Sequence, residues 1–355
     1  PELDGFRFFF FLLVYISHSS IWLSLSVCLP VELSGVVPYL MAMDRVGSIG
    51  VSLFFCLSSY LITKLLYLEQ QRFGKVSLKF FYFRRILRIW PLYFLVLISL
   101  QYVSKLGSVL NTPFTQPFPT PCFVSYLSFV GNFYSMVDVR LYNCLGGLWS
   151  LCVEEQFYVF WPLLFVYVRS EKLTTWFYLL LGFSWFLRLL SGLSLLIWDA
   201  SALPAAVGPG FGYASWTHLD NFALGALFAV KEKEWLPYLR NPACLLLPLA
   251  FFPIFLNFFC GGPPQPWTFA GYGIVSACCL VCLANCFDRP ALRQAWLVYL
   301  GRISYGLYIF HLVVLRACEY VLFGGRFPSP TFVPSVGESL SATLLGLLLT
   351  VFIAQ

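Results

Sequence analysis

Ionisable side chains set into long apolar runs carry the chemistry of this sequence, because a charge at membrane depth costs several kcal/mol unless it is paired or hydrated. The first set is Leu3-Asp4-Gly5-Phe6-Arg7 and, eleven residues beyond the arginine, His18. Eleven helical residues rise ~16 Å and return to within about 20° of the starting azimuth. With Arg7 at the cytoplasmic surface, His18 falls on the same helix face near mid-bilayer. That places a cation at the mouth and an imidazole at the floor of a lined cavity. The plainer alternative is an anchoring arginine and a hydrogen-bonded core histidine.

The second set is Leu148-Trp149-Ser150-Leu151-Cys152-Val153-Glu154-Glu155-Gln156-Phe157-Tyr158. Two adjacent carboxyls enter an apolar run from its outer end, with Trp149 at the interface. Neighbouring helical positions point ~100° apart. One carboxyl is therefore expected to face a polar cavity and the other to meet a partner on a neighbouring helix; an ion pair with Arg188 is the structural alternative. The third set runs from Gly301-Arg302 to Tyr308 and His311. Nine residues beyond Arg302 bring His311 ~14 Å deep, level with His18. Asp220, after His218, is a helix cap or a site residue. Glu319 has an i, i+3 partner in Arg316. Arg84, Arg85 and Arg88 lie among aromatics before Trp90-Pro91, in a predicted inner loop 69–88. They fit an anchor on anionic lipid or a clamp in which guanidinium forks hold phosphate oxygens.

The elements that must position these groups follow from composition. Apolar residues make up 59% and charged residues 11% of the 355 positions, against roughly a quarter charged in soluble chains. Such a surface suits lipid, in which a helical chain satisfies its own backbone. Ten apolar runs fit spans, at about 6–28, 47–68, 89–105, 148–168, 173–198, 217–230, 243–259, 267–287, 303–323 and 337–355. Residues 122–136 form a shorter apolar stretch, expected to be re-entrant or interfacial. Of 22 Lys and Arg, sixteen fall on one side, four on the other (Arg45, Lys105, Arg140 and Arg326), and Arg188 and Arg316 fall within spans. That asymmetry predicts an all-α polytopic bundle with both ends cytoplasmic.

The same scatter of basic residues over short loops excludes a nucleic-acid-binding face. Cys278, Cys279, Cys282 and Cys286 share one apolar run without a histidine or charge at ligand spacing, so they read as small helix-contact residues and no metal is expected. Cys122 and Cys144 fall in a predicted outer loop, where pairing is open. The chain starts at Pro1 and stops inside an apolar run at Gln355, and is read as a single membrane domain, 1–355, trimmed at both ends.

Taken in order, these motifs resemble the acyltransferase 3 family of integral-membrane O-acyltransferases, the O-antigen acetylase type. The resemblance rests on Leu3-Asp4-Gly5 with Arg7 and His18; Gly50 to Phe55; Leu57 to Thr63; Phe83 to Tyr93; Trp149 to Tyr158; and Leu300 to His311. It implies a ten-helix fold in the cytoplasmic (plasma) membrane. It also implies transfer of an acyl group, often acetyl, from cytoplasmic acyl-CoA to a hydroxyl of a cell-surface glycan or lipid-linked saccharide. The family's Arg-x10-His pair falls on Arg7 and His18, its Arg-x-x-Arg pair on Arg85 and Arg88, and its Glu-Glu-Gln-Phe-Tyr segment on Glu154 to Tyr158. Ser52 stands where the family commonly has Asp, Ser59 where it has Gly and His218 where Arg is frequent. Cys152 replaces a usual Ser, which argues against Cys152 as a nucleophile.

Acyl transfer to a hydroxyl needs a base, a stabiliser for the oxyanion and exclusion of water. His18 is expected as the base, Glu154 or Glu155 as its orienting carboxylate or an acceptor contact, and His311 and Tyr308 as oxyanion donors. Arg85, Arg88 and Arg7 are expected to hold the coenzyme A phosphates. The competing class is a proton-coupled secondary transporter, which also uses mid-membrane His and Glu; the sequence lacks the internal repeats and broken helix pairs of such carriers.

Overall fold

The computed structural model describes residues 1–110, 118–137, 145, 147–197, 211–259, 266–326 and 332–355. Arg140 and Cys144 lie outside the described residues, and with them one outer charge and the Cys122–Cys144 pairing.

Every regular element among the described residues is helical: α1 (Glu2–Ser17), α2 (Ile21–Cys28), α3 (Val37–Ala42), α4 (Val46–Phe73), α5 (Leu78–Leu110), α6 (Thr120–Leu127), α7 (Gly131–Val137), α8 (Leu148–Tyr167), α9 (Ser170–Ile197), α10 (Leu219–Leu239), α11 (Leu246–Phe259), α12 (Pro266–Ala284), α13 (Ala295–Arg302), α14 (Ser304–Leu322) and α15 (Val336–Ile353), with short 3-10 turns between some of them. Helix ends carry their local chemistry. Gly74 stops α4 at φ 70°, a conformation that costs a residue with a Cβ. Ser335 and Glu338 form a reciprocal capping box at the start of α15.

Each predicted apolar run falls on helix, with three differences. The first run is not one rod: α1 and α2 meet at 52° across His18, Ser19 and Ser20. The stretch 122–136 is two short helices, separated by a turn with Phe129 at positive φ. Of the predicted loop 69–88 only 74–77 lies outside helix, since α4 runs to Phe73 and α5 starts at Leu78, so Arg84, Arg85 and Arg88 ride the first turns of α5. Apolar residues continue back from the span through Ile86 and Leu87 to Phe83, Phe81 and Phe80, and the arginines are interspersed after Phe83.

By length and composition five helical segments are apolar enough to cross a membrane, six if α1 and α2 are one bent span. Two of the remaining helices bury polar groups. The first half of α10, from Asp220 to Ala229, is buried residue by residue, and α8 buries Glu155. Helix faces turned to protein tolerate polar groups that lipid excludes.

The bundle packs α4 against α1, α10 and α12, α9 against α10 and α12, and α14 against α15. Two glycines set close approaches. A Cβ at Gly301 would fall onto the Asp4 carbonyl oxygen where α13 crosses α1, and one at Gly225 would meet the Cys56 carbonyl where α10 crosses α4. Cys278 and Cys279 lie in the buried seam where α12 meets α1, α4 and α10, and Cys286 is buried as well.

Candidate active site

Five helices, α1, α4, α5, α8 and α14, enclose a cavity of about 160 Å³, room for several waters or a slender chain. Arg7, Arg85 and Arg88 bring three guanidinium groups to its wall, and Glu154 is its carboxylate. Ser58, Ser150, Ser304, Tyr158, Tyr305 and Tyr308 supply hydroxyls, and Val51, Phe54, Phe55, Leu61 and Ile62 close the apolar side.

Three of the four charges are held. Arg7 Nη1 donates to Asp4 Oδ1 at 2.7 Å, one turn earlier on α1. The Arg85 guanidinium lies 5.2 Å from the Tyr158 ring centroid and 5.7 Å from that of Phe81, a geometry in which ring quadrupoles fix a cation. Glu154 accepts from the hydroxyls of Ser58 and Tyr158. Glu155 turns away and accepts from Trp90 Nε1 at 3.0 Å. The two carboxyls thus part as the ~100° step demands. Trp90 is the partner of Glu155; Arg188 pairs instead with Asp220 at 2.9 Å, with both side chains buried. Ser276 and the backbone N–H of Asn221 also donate to Asp220, so this carboxylate locks α10 to α9 and α12. His218 is wedged between Phe55 and Trp149, at 5.0 and 5.5 Å between ring centroids.

The two predicted mid-depth histidines meet. His18 and His311 stand 5.5 Å apart between ring centroids, and His311 is fully buried among Phe11, Tyr15 and Tyr308. They do not line the cavity. Arg7 does, whereas His18 sits one layer further along, beyond His311 and Tyr308. His18 caps the end of α1 in helical conformation, φ −87° and ψ −3°, and its ring packs on His311.

Hydrogen positions follow from the partners. His311 Nδ1 lies 2.5 Å from the Tyr308 carbonyl, which only accepts, so Nδ1 carries the hydrogen and Nε2 of the neutral ring presents a lone pair. A neutral His311 therefore has no N–H left for an oxyanion, which alters the role expected from sequence. Tyr308 Oη and Ser150 Oγ are 2.6 Å apart, and Ser150 donates to the Gly147 carbonyl at 3.1 Å; Tyr308 thus gives its hydrogen to Ser150 in the resting site.

Sequence reasoning singled out Arg7, Arg85, Arg88, Glu154 and Tyr308, which the fold gathers on one cavity. It passed over Ser58. A hydroxyl inside an apolar run is the signal that marks it, but Ser59 sends the same signal and donates to the Phe222 carbonyl instead.

The sequence profile of a family described as "Acyltransferase domain" matches residues 1–355. A provisionally named O-acetyltransferase of Staphylococcus aureus strain COL is 27% identical over 313 residues, covering 79% of this chain and 48% of the relative. The peptidoglycan O-acetyltransferase OatA of Listeria monocytogenes is 26% identical over 303 residues, covering 78% and 46%. A provisionally named peptidoglycan O-acetyltransferase, YrhL of Bacillus subtilis strain 168, is 27% identical over 296 residues, covering 76% and 44%. The chain spans about half the length of these relatives. No solved structure matches it.

Proposed function

Because this chain belongs to the acyltransferase domain family and is a multi-pass membrane protein, we propose that it moves an acyl group, acetyl in the first instance, from acyl-CoA at the cytoplasmic face to a hydroxyl of a cell-surface glycan or lipid-linked saccharide. In this reading ten helical spans cross the cytoplasmic membrane with both ends inside, an arrangement supported by the Lys and Arg asymmetry. Two of the relatives are named for peptidoglycan, so a glycan-strand fragment is the first acceptor to try.

The observation that carries the reading is one cavity with the guanidinium groups of Arg7, Arg85 and Arg88 and the Glu154 carboxylate on its wall, and with Tyr308 linking that wall to the His311–His18 pair. Arg85 and Arg88 hold donor phosphates, and the thin arm bearing the thioester fills the cavity. His18 accepts the proton as the acceptor oxygen attacks the thioester carbonyl. Arg7 joins Arg85 and Arg88 at the donor phosphates, and the Tyr308 hydroxyl, once it turns from Ser150, stabilises the oxyanion. The C–S bond then breaks, and the coenzyme A thiolate takes the proton back from His18. Ester and thiol are the products, with no net proton change.

The test uses protein in nanodiscs with acetyl-CoA and a peptidoglycan-derived disaccharide-peptide, reading free thiol and the acetylated acceptor by mass spectrometry. Acceptor-dependent thiol release is expected, and His18→Ala should lose it by about the 10²–10⁴-fold of a missing general base with expression unchanged. A secondary transporter would move its cargo without releasing thiol, and near-normal transfer by the variant would overturn the base assignment.

A further inference from the structure

A helix that stops and restarts leaves backbone N–H groups with no carbonyl behind them. The break between α1 and α2 creates such groups at the residues that follow His18. Ser19 Oγ accepts from the Ile21 N–H at 3.2 Å. The Ser20 N–H donates across to α14, to Glu319 Oε1 at 3.1 Å. The other oxygen of that carboxylate takes Arg316 Nη1 at 2.5 Å, and Glu319 is fully buried. The sequence shows Glu319 only as the i, i+3 partner of Arg316; its second contact comes from a segment 299 residues away.

His311 precedes Glu319 by eight residues on α14, ~12 Å along the axis. The same helix thus meets the break at two points: a ring against His18 and a carboxylate on the N–H two residues later. Beyond that point α2 is tied to α15 by neutral hydroxyls, Ser20 and Ser24 both reaching Ser339 at 3.1 and 2.6 Å. Those contacts hold α2 against its neighbour but touch nothing on the helix that carries His311.

We propose that Glu319 is a positioning residue: by capping the restart of the first span it fixes the bend and so holds the His18 ring against His311. This rests on the reading of His18 as the proton acceptor. A carboxylate suits the task because it offers one oxygen to the backbone and one to Arg316. An amide has one oxygen and one NH2, so Glu319→Gln alone turns an N–H donor onto either the Ser20 N–H or the Arg316 guanidinium, whereas with Arg316→Met the oxygen is free to face the Ser20 N–H and the NH2 no longer meets a cation.

Two readouts test the proposal on the full chain in nanodiscs. The first is diethyl pyrocarbonate labelling followed by peptide mass spectrometry, which is direct because the chain has only 3 histidines; His218, wedged between aromatic rings, serves as the internal reference. Glu319→Ala should label at His18 at least fivefold faster with His218 unchanged, and the double variant should return within twofold of the parent. The second is steady-state transfer. Glu319→Ala should lower kcat at least thirtyfold with the KM for acetyl-CoA within twofold, since Arg85 and Arg88 are untouched, and the double variant should recover most of it. His18 labelling unchanged in Glu319→Ala, or a double variant as fast-labelling as the alanine, would overturn the proposal. If the alanine protein labels faster at all three histidines it has unfolded, and the double variant alone decides. Should the parent protein release no thiol at all, the proposed function fails while the labelling still decides the role of Glu319.

Discussion

Arg85 and Arg88 occupy the same cavity wall and the same motif, yet the structure predicts unequal consequences for removing them. Arg85 is half-buried, its guanidinium set over the rings of Tyr158 and Phe81, so little side-chain freedom is left to lose when a phosphate arrives. A charge-assisted hydrogen bond from such a group is worth about 1.5–3 kcal/mol, or about 10- to 150-fold in donor binding at 1.4 kcal/mol per decade. Arg88 is exposed, and an exposed charge, solvated and screened, is worth about 0.5 kcal/mol, near twofold. Arg85→Ala should therefore raise the KM for acetyl-CoA by at least tenfold and Arg88→Ala by no more than about threefold, with the acceptor KM steady in both. Arg85→Lys should recover little, because a point charge does not reproduce the fork or its packing on the rings. The assay is initial-rate thiol release across a donor series at fixed acceptor, with coenzyme A binding by calorimetry as the check. Equal effects from the two alanines, or a rise confined to the acceptor KM, would refute the assignment of phosphate binding to this geometry.

Two further outcomes follow from packing. Asp220→Ala strands the buried Arg188 and should cost about 3–5 kcal/mol, whereas Arg188→Met with Asp220→Leu should cost clearly less, because no unpaired charge is left, although the Asn221 N–H and Ser276 still lose an acceptor; reversible unfolding of the reconstituted protein measures both, and an additive double variant would sink the claim. Gly301→Ala drives a methyl group into the Asp4 carbonyl where α13 crosses α1, an overpacking cost of about 1–3 kcal/mol. Because Asp4 also holds Arg7, the variant should lose thermal stability and donor affinity together; a folded protein with unchanged coenzyme A binding would show that the crossing does not set Arg7.

Much of the site was legible because its chemistry is expensive in lipid. A carboxylate or guanidinium inside an apolar run has to be accounted for, and that cost alone drew attention to Arg7, Glu154, Glu155, Glu319 and Arg188. Helical periodicity went further where partners lie within one helix: the divergence of Glu154 from Glu155 and the pairing of Arg316 with Glu319 both follow from 3.6 residues per turn. The reach of helix α5 back to Leu78 was missed because charged residues read as loop, although a helix entering the interface tolerates arginines on its exposed side.

Composition and local period thus determined a membrane bundle of helices and which near neighbours in sequence, such as Arg316 and Glu319, share a face. They did not determine partners across helices, since every helix offers the same smooth apolar surface and the sequence carries no record of which one lies alongside. Only the tertiary packing put Trp90 on Glu155, Asp220 on Arg188 and Glu319 on the backbone after His18. The bend itself belongs to that second class: nothing in the run Ile16-Ser17-His18-Ser19-Ser20 forbids a helix, and it breaks where a carboxylate from α14 is in place to receive the N–H that breaking exposes.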